Sequence, residues 1–422
     1  MKKDKTVVSL FSGCGGMDLG FEGDFKVLIK SINTNLHPDW IQKNHNRKWA
    51  TVNPTSFKTA FANDIRPGAK AAWVNYFSKK SIDPEAFHLG SIVDLVKVSK
   101  NGGPYAFPEK VDIVTGGFPC QDFSVAGKRN GFNSHKNHNG ESIDIVEPTV
   151  ENRGMLYMWL REVISLITPK VFIAENVKGL VSLANVKDII ENDFRNINHG
   201  GYLVVPARVL HAAEYGVPQS RERVIFFGFL KSALKQEALK ALSKKHIPAK
   251  YDPYPTPTHS INQETTHPAS NLLSPVTVRT AFEDLLEPEQ SKDISQKSYS
   301  QAKWYGKHCQ GQSEVNLEYI GPTIRSEHHG NIEFRRLSKK NGGRIHNEYH
   351  LPERRLTVRE CARLQTFPDD YEFVFRKEHK GSEISLSASE SYKLIGNAVP
   401  PLLAYHIAKR LEQLWPILFK QE

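Results

Sequence analysis

The sequence predicts an α/β protein built on a doubly wound sheet, with a smaller, loop-rich second module set into it. Apolar runs of strand length alternate with helical stretches from Thr6 to about Phe229. Several of those runs end in glycines or in a charged residue, as strands do where an open sheet faces a ligand crevice. The pattern then fails over residues 251–351, where Ser, His, Asn and Arg crowd in without helical spacing, and resumes at Thr357. These breaks divide the chain into a first domain over residues 1–230, a second module with a proline-rich linker over 231–354, and a segment over 355–422 that returns to the first domain.

The first strand is Thr6-Val7-Val8-Ser9-Leu10-Phe11, broken by Ser12-Gly13-Cys14-Gly15-Gly16 before a helix begins at Met17. Glycines there let the backbone approach a ligand closely, although an ordinary tight turn reads the same way. Their spacing is not GxGxxG, and no Lys-Ser/Thr follows, which disfavours a dinucleotide or a triphosphate. Residues 26–59 are polar and aperiodic and read as an insertion. Ala60-Phe61-Ala62-Asn63-Asp64 is a short strand ending in an acid, followed by a helix over 69–77. Such an acid suits the ribose hydroxyls of an adenosine cofactor or caps the helix.

Val111-Asp112-Ile113-Val114-Thr115 forms a strand that runs through Gly116-Gly117-Phe118-Pro119 into Cys120. A thiol just beyond a strand end can be activated by nearby cations or a helix N-terminus, whereas a cysteine taken at random is more often buried and inert. The paired glycines and Pro119 shape a turn rather than fill a core. Residues 121–153 form a long polar stretch of the kind used for lids. Its His135 and His138 lack acids or cysteines in ligand-like spacing, so no metal is expected. A helix over 155–167 leads to the strand Val171-Phe172-Ile173-Ala174, which ends in Glu175-Asn176-Val177, placing a carboxylate either in the same crevice or as a surface cap. After a helix near 186–197 and a strand over 202–210, Gln219-Ser220-Arg221-Glu222-Arg223 enters the apolar strand 224–229. Its alternating arginines share one face and can hold a phosphate or a carboxylate. Beyond the proline-rich linker 251–258, a helix covers 357–365, and Ile395-Gly396-Asn397-Ala398-Val399-Pro400-Pro401 opens a C-terminal helix reaching Leu414.

Composition sets outer limits. Hydrophobic residues at 39% and charged residues at 24% describe an ordinary globular chain of 422 residues, long enough for two domains. An excess of 56 Lys+Arg over 46 Asp+Glu gives a formal net charge of +10, which suits a polyanionic partner. Cys14, Cys120, Cys309 and Cys361 lie far apart, arguing against a zinc ribbon or a disulfide framework. No run reaches membrane-spanning length, and a cytoplasmic protein is expected.

Taken together, these peptides resemble the DNA cytosine-5 methyltransferase family in content and in order. Phe11-Ser12-Gly13-Cys14-Gly15-Gly16 is similar to its S-adenosylmethionine loop, Pro119-Cys120-Gln121 to its nucleophile motif, Glu175-Asn176-Val177 to its carboxylate motif, and Gln219-Ser220-Arg221-Glu222-Arg223 to its QxRxR motif. The Arg359-Glu360-Cys361-Ala362-Arg363-Leu364-Gln365 helix and Gly396-Asn397-Ala398-Val399-Pro400 complete the set. The resemblance implies a Rossmann-like, S-adenosylmethionine-dependent methyltransferase fold, in which residues 1–230 are catalytic and cofactor-binding and 231–354 recognise the target.

It also implies roles. Cys120 would attack C6 of a cytosine flipped out of duplex DNA, Glu175 would bind its N3/N4 edge, Arg223 supported by Arg221 would lie near O2, and Asn176 would position the Pro119-Cys120 turn. Phe11, Gly13, Cys14, Gly15, Gly16, Asp64, Ile65, Ile92, Phe118, Pro119, Leu156, Asn397 and Ala398 would bind S-adenosylmethionine. Gln121, Ser124, Lys128, Arg129, Gln219, Thr323, Ile324, Arg325 and Arg335 would touch DNA. Two positions depart from the family's usual pattern: Gly90-Ser91-Ile92 stands for Gly-Asp-Ile, and Asp64-Ile65 for Glu and an aromatic. The expected protein is a monomer of the compact bacterial kind, nucleoid-associated on DNA, that protects sites from a cognate restriction endonuclease. An RNA cytosine-5 methyltransferase and a catalytically silent DNA-binding repressor are the alternatives, and the intact Cys120, Glu175 and Arg223 set speaks against the repressor.

Overall fold

The computed structural model describes residues 4–119, 156–183, 185–261, 271–306, 308–326, 331–375 and 386–420. In chain order its strands are β1 (Lys5–Leu10), β2 (Lys26–Leu28), β3 (Ile41–Asn44), β4 (Trp49–Val52), β5 (Phe57–Asp64), β6 (Phe87–Leu89), β7 (Ile113–Gly116), β8 (Val171–Val177), β9 (Tyr202–His211), β10 (Glu222–Leu230), β11 (Phe334–Arg336) and β12 (Arg354–Arg355). Its helices are α1 (Gly16–Glu22), α2 (Pro67–Phe77), α3 (Ile92–Lys100), α4 (Leu156–Ile167), α5 (Val186–Arg195), α6 (Gln236–Leu242), α7 (Val278–Phe282), α8 (Ile294–Lys297), α9 (Val358–Leu364), α10 (Ala388–Asn397) and α11 (Pro401–Leu418).

The main sheet has the order β6-β5-β1-β7-β8-β10-β9. Neighbours from β6 to β8 run parallel, while β10 is antiparallel to both β8 and β9. Because helices cover both faces, the central strands are apolar almost throughout instead of alternating. Consecutive residues feed opposite cores: Val7, Ile113, Ile173 and Phe227 pack on the side of α1 and α11, and Val8, Val114, Phe172 and Phe226 on the side of α4 and α5. The expected doubly wound sheet is therefore present, with its direction of building reversing between β1 and β7.

Two expectations need correction. Residues 26–59 are not irregular, since β2, β4 and β3 form their own antiparallel sheet; strands of three or four residues are too short to show a period. The C-terminal helix does not begin at Ile395, because α10 ends at Asn397 and α11 starts afresh at Pro401. Two successive prolines remove the N–H groups and disfavour helical geometry just before them. The proline-rich segment 251–258 packs against the main sheet. Tyr254 is buried, and its hydroxyl donates to the Ile225 carbonyl at 2.8 Å, while the Tyr215 hydroxyl donates to that of Pro255 at 3.1 Å.

Helix α11 crosses α1 closely enough that a Cβ on Gly20 would stand 2.4 Å from the Ala404 Cβ. Its other side meets the small sheet, where Trp40 packs edge-on to Tyr405 and against His406, with ring centroids 5.2 and 4.7 Å apart. His406 is 2% exposed. Burial, aided by His37 and His259 nearby, drives its pKa well below the usual imidazole value. The folded protein thus keeps His406 neutral while the unfolded chain protonates it below about pH 6.5. Stability from this group is full at neutral pH and falls with acidification, by up to about 1.4 kcal/mol per pH unit. Thermal melts between pH 7.5 and 5.5 are expected to show a smaller acid-induced drop in Tm for His406→Gln than for the parent.

β11 and β12 pair as a short ribbon, braced by charged side chains that are buried or half-buried. Arg354 donates from Nη1 and Nη2 to the two oxygens of Glu360 at 2.8 and 2.9 Å, and Arg336 reaches Glu348 at 2.7 Å. Glu360 in turn closes a capping box with Thr357 at the start of α9. Helix α9 therefore anchors this ribbon through Glu360.

Candidate active site

A cavity of about 840 Å³ opens at the carboxyl ends of β1 and β7, where the order of the sheet reverses. Its walls include residues 9–13, 63–66, 90–92 and 115–119 at the ends of parallel strands or just beyond them, Glu175 on β8, 221–223 where β10 begins, 323–326 from the stretch before β11, and 396–399 at the end of α10 and just after it. Segments far apart in sequence thus meet at one crevice. Cys120, Gln121, Ser124, Lys128 and Arg129 lie outside the described residues. Pro119, the residue before Cys120, is on the cavity wall.

The glycine loop is built for close approach. Gly13 and Gly15 have positive φ of 55° and 74°, and a Cβ on Gly16 would meet the Val399 carbonyl oxygen at 2.2 Å. Phe11 also sits in the left-handed region at φ 53°, a conformation uncommon for a residue with a side chain. Asp64 accepts from the Gly13 N–H at 3.0 Å and the Arg66 N–H at 2.9 Å. Burial pushes its carboxyl pKa up, and these N–H groups oppose the shift. The acid expected to meet a ribose therefore also ties the end of β5 to the loop after β1. Ile65 is exposed at the rim, while Ile92, Phe118, Leu156 and Ala398 are buried lining groups. Asn397 is exposed. Cys14 is fully buried with its thiol pKa driven up by desolvation, so it packs and is no nucleophile. Ser91 caps α3 by accepting from the Val93 N–H at 3.2 Å, a use open to serine as much as to aspartate.

At the other end of the cavity Arg223 Nε lies 2.6 Å from Glu175 Oε1, both side chains under 10% exposed. Strand pairing enforces the meeting, since Arg223 stands opposite Val177 and Glu175 opposite Ile225 on β8 and β10. Burial raises the Glu175 carboxyl pKa, opposed by Arg223 and then Arg221. Asn176 donates from Nδ2 to the Phe118 carbonyl at 3.1 Å, tethering the turn that leads to Cys120. A Cβ on Gly117 would come within 2.9 Å of Glu175 Oε2, so the turn passes directly over the carboxylate.

The structure puts several expected contacts to other uses. Arg221 is wholly buried and donates to the carbonyls of Ile324 (3.0 Å), Gly396 (2.7 Å) and Ala398 (2.8 Å). It joins the module and the α10–α11 turn to β10. Gln219, expected to touch DNA, is buried: its Nε2 donates to the Leu364 carbonyl at 3.1 Å and its Oε1 accepts from the Ile324 N–H at 3.0 Å. Ile324 is buried as well, and the Thr323 hydroxyl donates to the Ser220 carbonyl. Arg335 is turned inward onto Glu348 at 2.9 Å. Of the expected recognition residues that are described, Arg325 keeps an accessible side chain, 33% exposed.

Arg66 and Asp18 are among the residues at the site that escaped the sequence reading. Arg66 lines the cavity beside Asp64 and pairs with Glu390 at 3.0 Å; its place directly after Asp64-Ile65 was the available signal. Asp18, under the glycine loop, accepts from Ser9 at 2.5 Å and Trp73 at 2.7 Å, and burial lifts its pKa to about 6. Nothing in the local sequence marks an acid on the first turn of a helix as buried.

A family model described as C-5 cytosine-specific DNA methylase matches residues 5–413. The type II methyltransferase M.BspRI of Lysinibacillus sphaericus is 31% identical over 424 residues, covering 98% of this chain and 82% of the relative. M.BsuRI of Bacillus subtilis is 31% identical over 414 residues, covering 97% and 80%. Among solved structures, a putative DNA modification methyltransferase encoded within an E. coli prophage aligns with a TM-score of 0.51 at 22% identity, covering 98% of this chain and 100% of that one. The S. pombe Dnmt2 methyltransferase aligns at 0.52 with 16% identity, covering 98% and 99%. These two likenesses speak for the fold.

Proposed function

The chain belongs to the C-5 cytosine-specific DNA methylase family, and on that premise we propose which of its residues carry the reaction and what the reaction serves. The protein is a DNA cytosine-5 methyltransferase that uses S-adenosylmethionine. When bound, S-adenosylmethionine supplies an electrophilic methyl group. The end of the cavity formed by the glycine loop, Asp64, Ile92 and Asn397 fits it: the loop allows close backbone approach, and Asp64 retains acceptor capacity beyond its two N–H partners.

The target cytosine enters at the Glu175–Arg223 end. C5 of cytosine is a poor nucleophile while the ring stays conjugated, so Cys120 adds its thiolate to C6, forming a C–S bond and making C5 an enamine carbon. Glu175 holds the N3/N4 edge as negative charge develops at N3, and Arg223 lies near O2. Burial raises the Glu175 carboxyl pKa against the opposing pull of Arg223, which suits a group that shares a proton with N3. Asn176 fixes the turn before Cys120 through Phe118, while Arg221 acts through the backbone it holds. Once C5 carries the methyl group, loss of the C5 proton and elimination restore the ring and the free thiol. The observation that carries this reading is the buried Glu175–Arg223 pair in the same cavity as the glycine loop and Pro119.

The substrate is a short duplex site, read by the module over residues 231–354, and methylation protects it from a cognate endonuclease. Type II relatives support that role. The protein acts as a monomer in the cytoplasm, on the nucleoid. Among the described residues no helix is long and apolar enough to cross a membrane. Bisulfite sequencing of DNA from cells expressing the chain tests the whole reading. Cytosines within one short sequence are expected to resist conversion; a conversion pattern identical to that of cells lacking the protein overturns it.

A further inference from the structure

Arg325 occupies an unusual position. Residues 321–325 are stitched to the strand entering β10: Ser220 N–H donates to the Gly321 carbonyl at 2.7 Å, Gly321 N–H to that of Pro218 at 3.0 Å, and Gln219 and Arg221 hold Ile324 from both sides. A Cβ on Gly396 would stand 2.3 Å from the Arg325 carbonyl carbon, so the α10–α11 turn also presses on this backbone. Arg325 is thus rooted in the catalytic frame, yet its side chain reaches outward. It lines both the reaction cavity and a second cavity of about 450 Å³ inside the module.

The second cavity has an acidic wall. Glu333 is 4% exposed and lies 3.5 Å from Arg325 Nη1 through Oε1, while its Oε2 has no hydrogen-bond partner among the described residues. Glu314, also buried there, accepts from the N–H groups of Leu337 at 2.8 Å and Arg344 at 2.7 Å. A phosphate brought to this guanidinium would be repelled by Glu333 behind it, whereas a neutral base edge carries no net charge to repel. An ion pair as long as 3.5 Å orients the planar fork without occupying it, leaving parallel N–H donors for a bidentate acceptor. In the major groove the edge that offers two acceptors side by side is guanine, through O6 and N7.

We propose that Arg325 is a specificity-determining residue that reads the O6/N7 edge of a guanine in the recognition site beside the flipped cytosine, and that Glu333 is the positioning residue behind it. This rests on the reading of the protein as a methyltransferase of duplex sites. Because Arg325 spans the two cavities, it couples recognition of that guanine to the frame holding Arg223.

The test follows site mapping with the parent protein. Duplexes are made in which each guanine of the mapped site is replaced in turn by 7-deazaguanine, which lacks the N7 acceptor. For the parent, one replacement is expected to lower kcat/KM by about 5- to 100-fold. Arg325→Ala loses a similar factor on the natural duplex and no more on that analogue, and Arg325→Lys retains part of the discrimination. Glu333→Gln weakens discrimination at the same guanine while S-adenosylmethionine affinity, read by calorimetry, stays unchanged. If the parent is indifferent to every replacement, the proposal fails regardless of how the variants fold. It fails too if Arg325→Ala responds to each analogue as the parent does, or weakens binding uniformly with a salt slope lower by about one, the mark of a phosphate contact. Absence of any methylated cytosine with the parent would instead sink the underlying function.

Discussion

Cys120→Ser is expected to abolish methyl transfer, by about four orders of magnitude or more, while S-adenosylmethionine binding stays close to that of the parent. A serine hydroxyl has the right size but is far harder to ionise than a thiol, and without addition to C6 the ring carbon stays unreactive. The described turn supports the separation of effects. Phe118 is held by Asn176 and buried in the core, and Pro119 lines the cavity, so the backbone leading to the exchanged residue is fixed independently of it. Tritium transfer from labelled cofactor measures the loss, and calorimetry measures the binding. Duplex DNA carrying 5-fluorocytosine gives a second readout, because fluorine cannot leave from C5 as a proton does. The parent is expected to form a covalent complex stable in denaturing gels, and the serine variant none. Methyl transfer by Cys120→Ser at near-parental rate would remove the cysteine from the mechanism.

Glu175→Gln is expected to lower kcat by about 10²- to 10³-fold with little change in the KM for DNA. The amide preserves volume but can neither share a mobile proton with N3 nor balance the buried charge of Arg223. Its effect therefore falls where charge develops, in the transition state. Breaking a buried pair also costs stability, about 3–5 kcal/mol when one partner is left uncompensated, so a lowered Tm should accompany the kinetic loss. Single-turnover rates at saturating DNA separate the two effects. A KM that rises while kcat holds would mean that Glu175 serves ground-state binding alone.

The limits of sequence reading show in particular residues. Strand ends carrying Gly13, Asp64, Pro119 and Glu175 were legible because each lies in a short contiguous peptide whose pattern of apolar run, glycine and polar residue survives without neighbours. The small sheet of residues 26–59 was not, since its strands are shorter than any period they could display. Gln219 and Arg335 were expected at the DNA, Arg221 beside Arg223, and Arg336 had no assigned role, yet each is turned inward to a backbone carbonyl or a half-buried glutamate. Their partners lie from 12 to 177 residues away, beyond the reach of local composition.

The sequence by itself therefore determined the alternation of strands and helices, the places where strands end in chemistry, and the family through the order of its motifs. Those are properties of contiguous stretches, set by side-chain periodicity and turn residues. Tertiary structure decided which polar groups face the cavity and which hold the frame. That choice depends on pairing across strands, as for Glu175 with Arg223, and on three distant segments closing around Arg221. It also singled out Arg325 from its basic neighbours, because an accessible guanidinium backed by a buried carboxylate exists only once residues 325 and 333 are folded against each other.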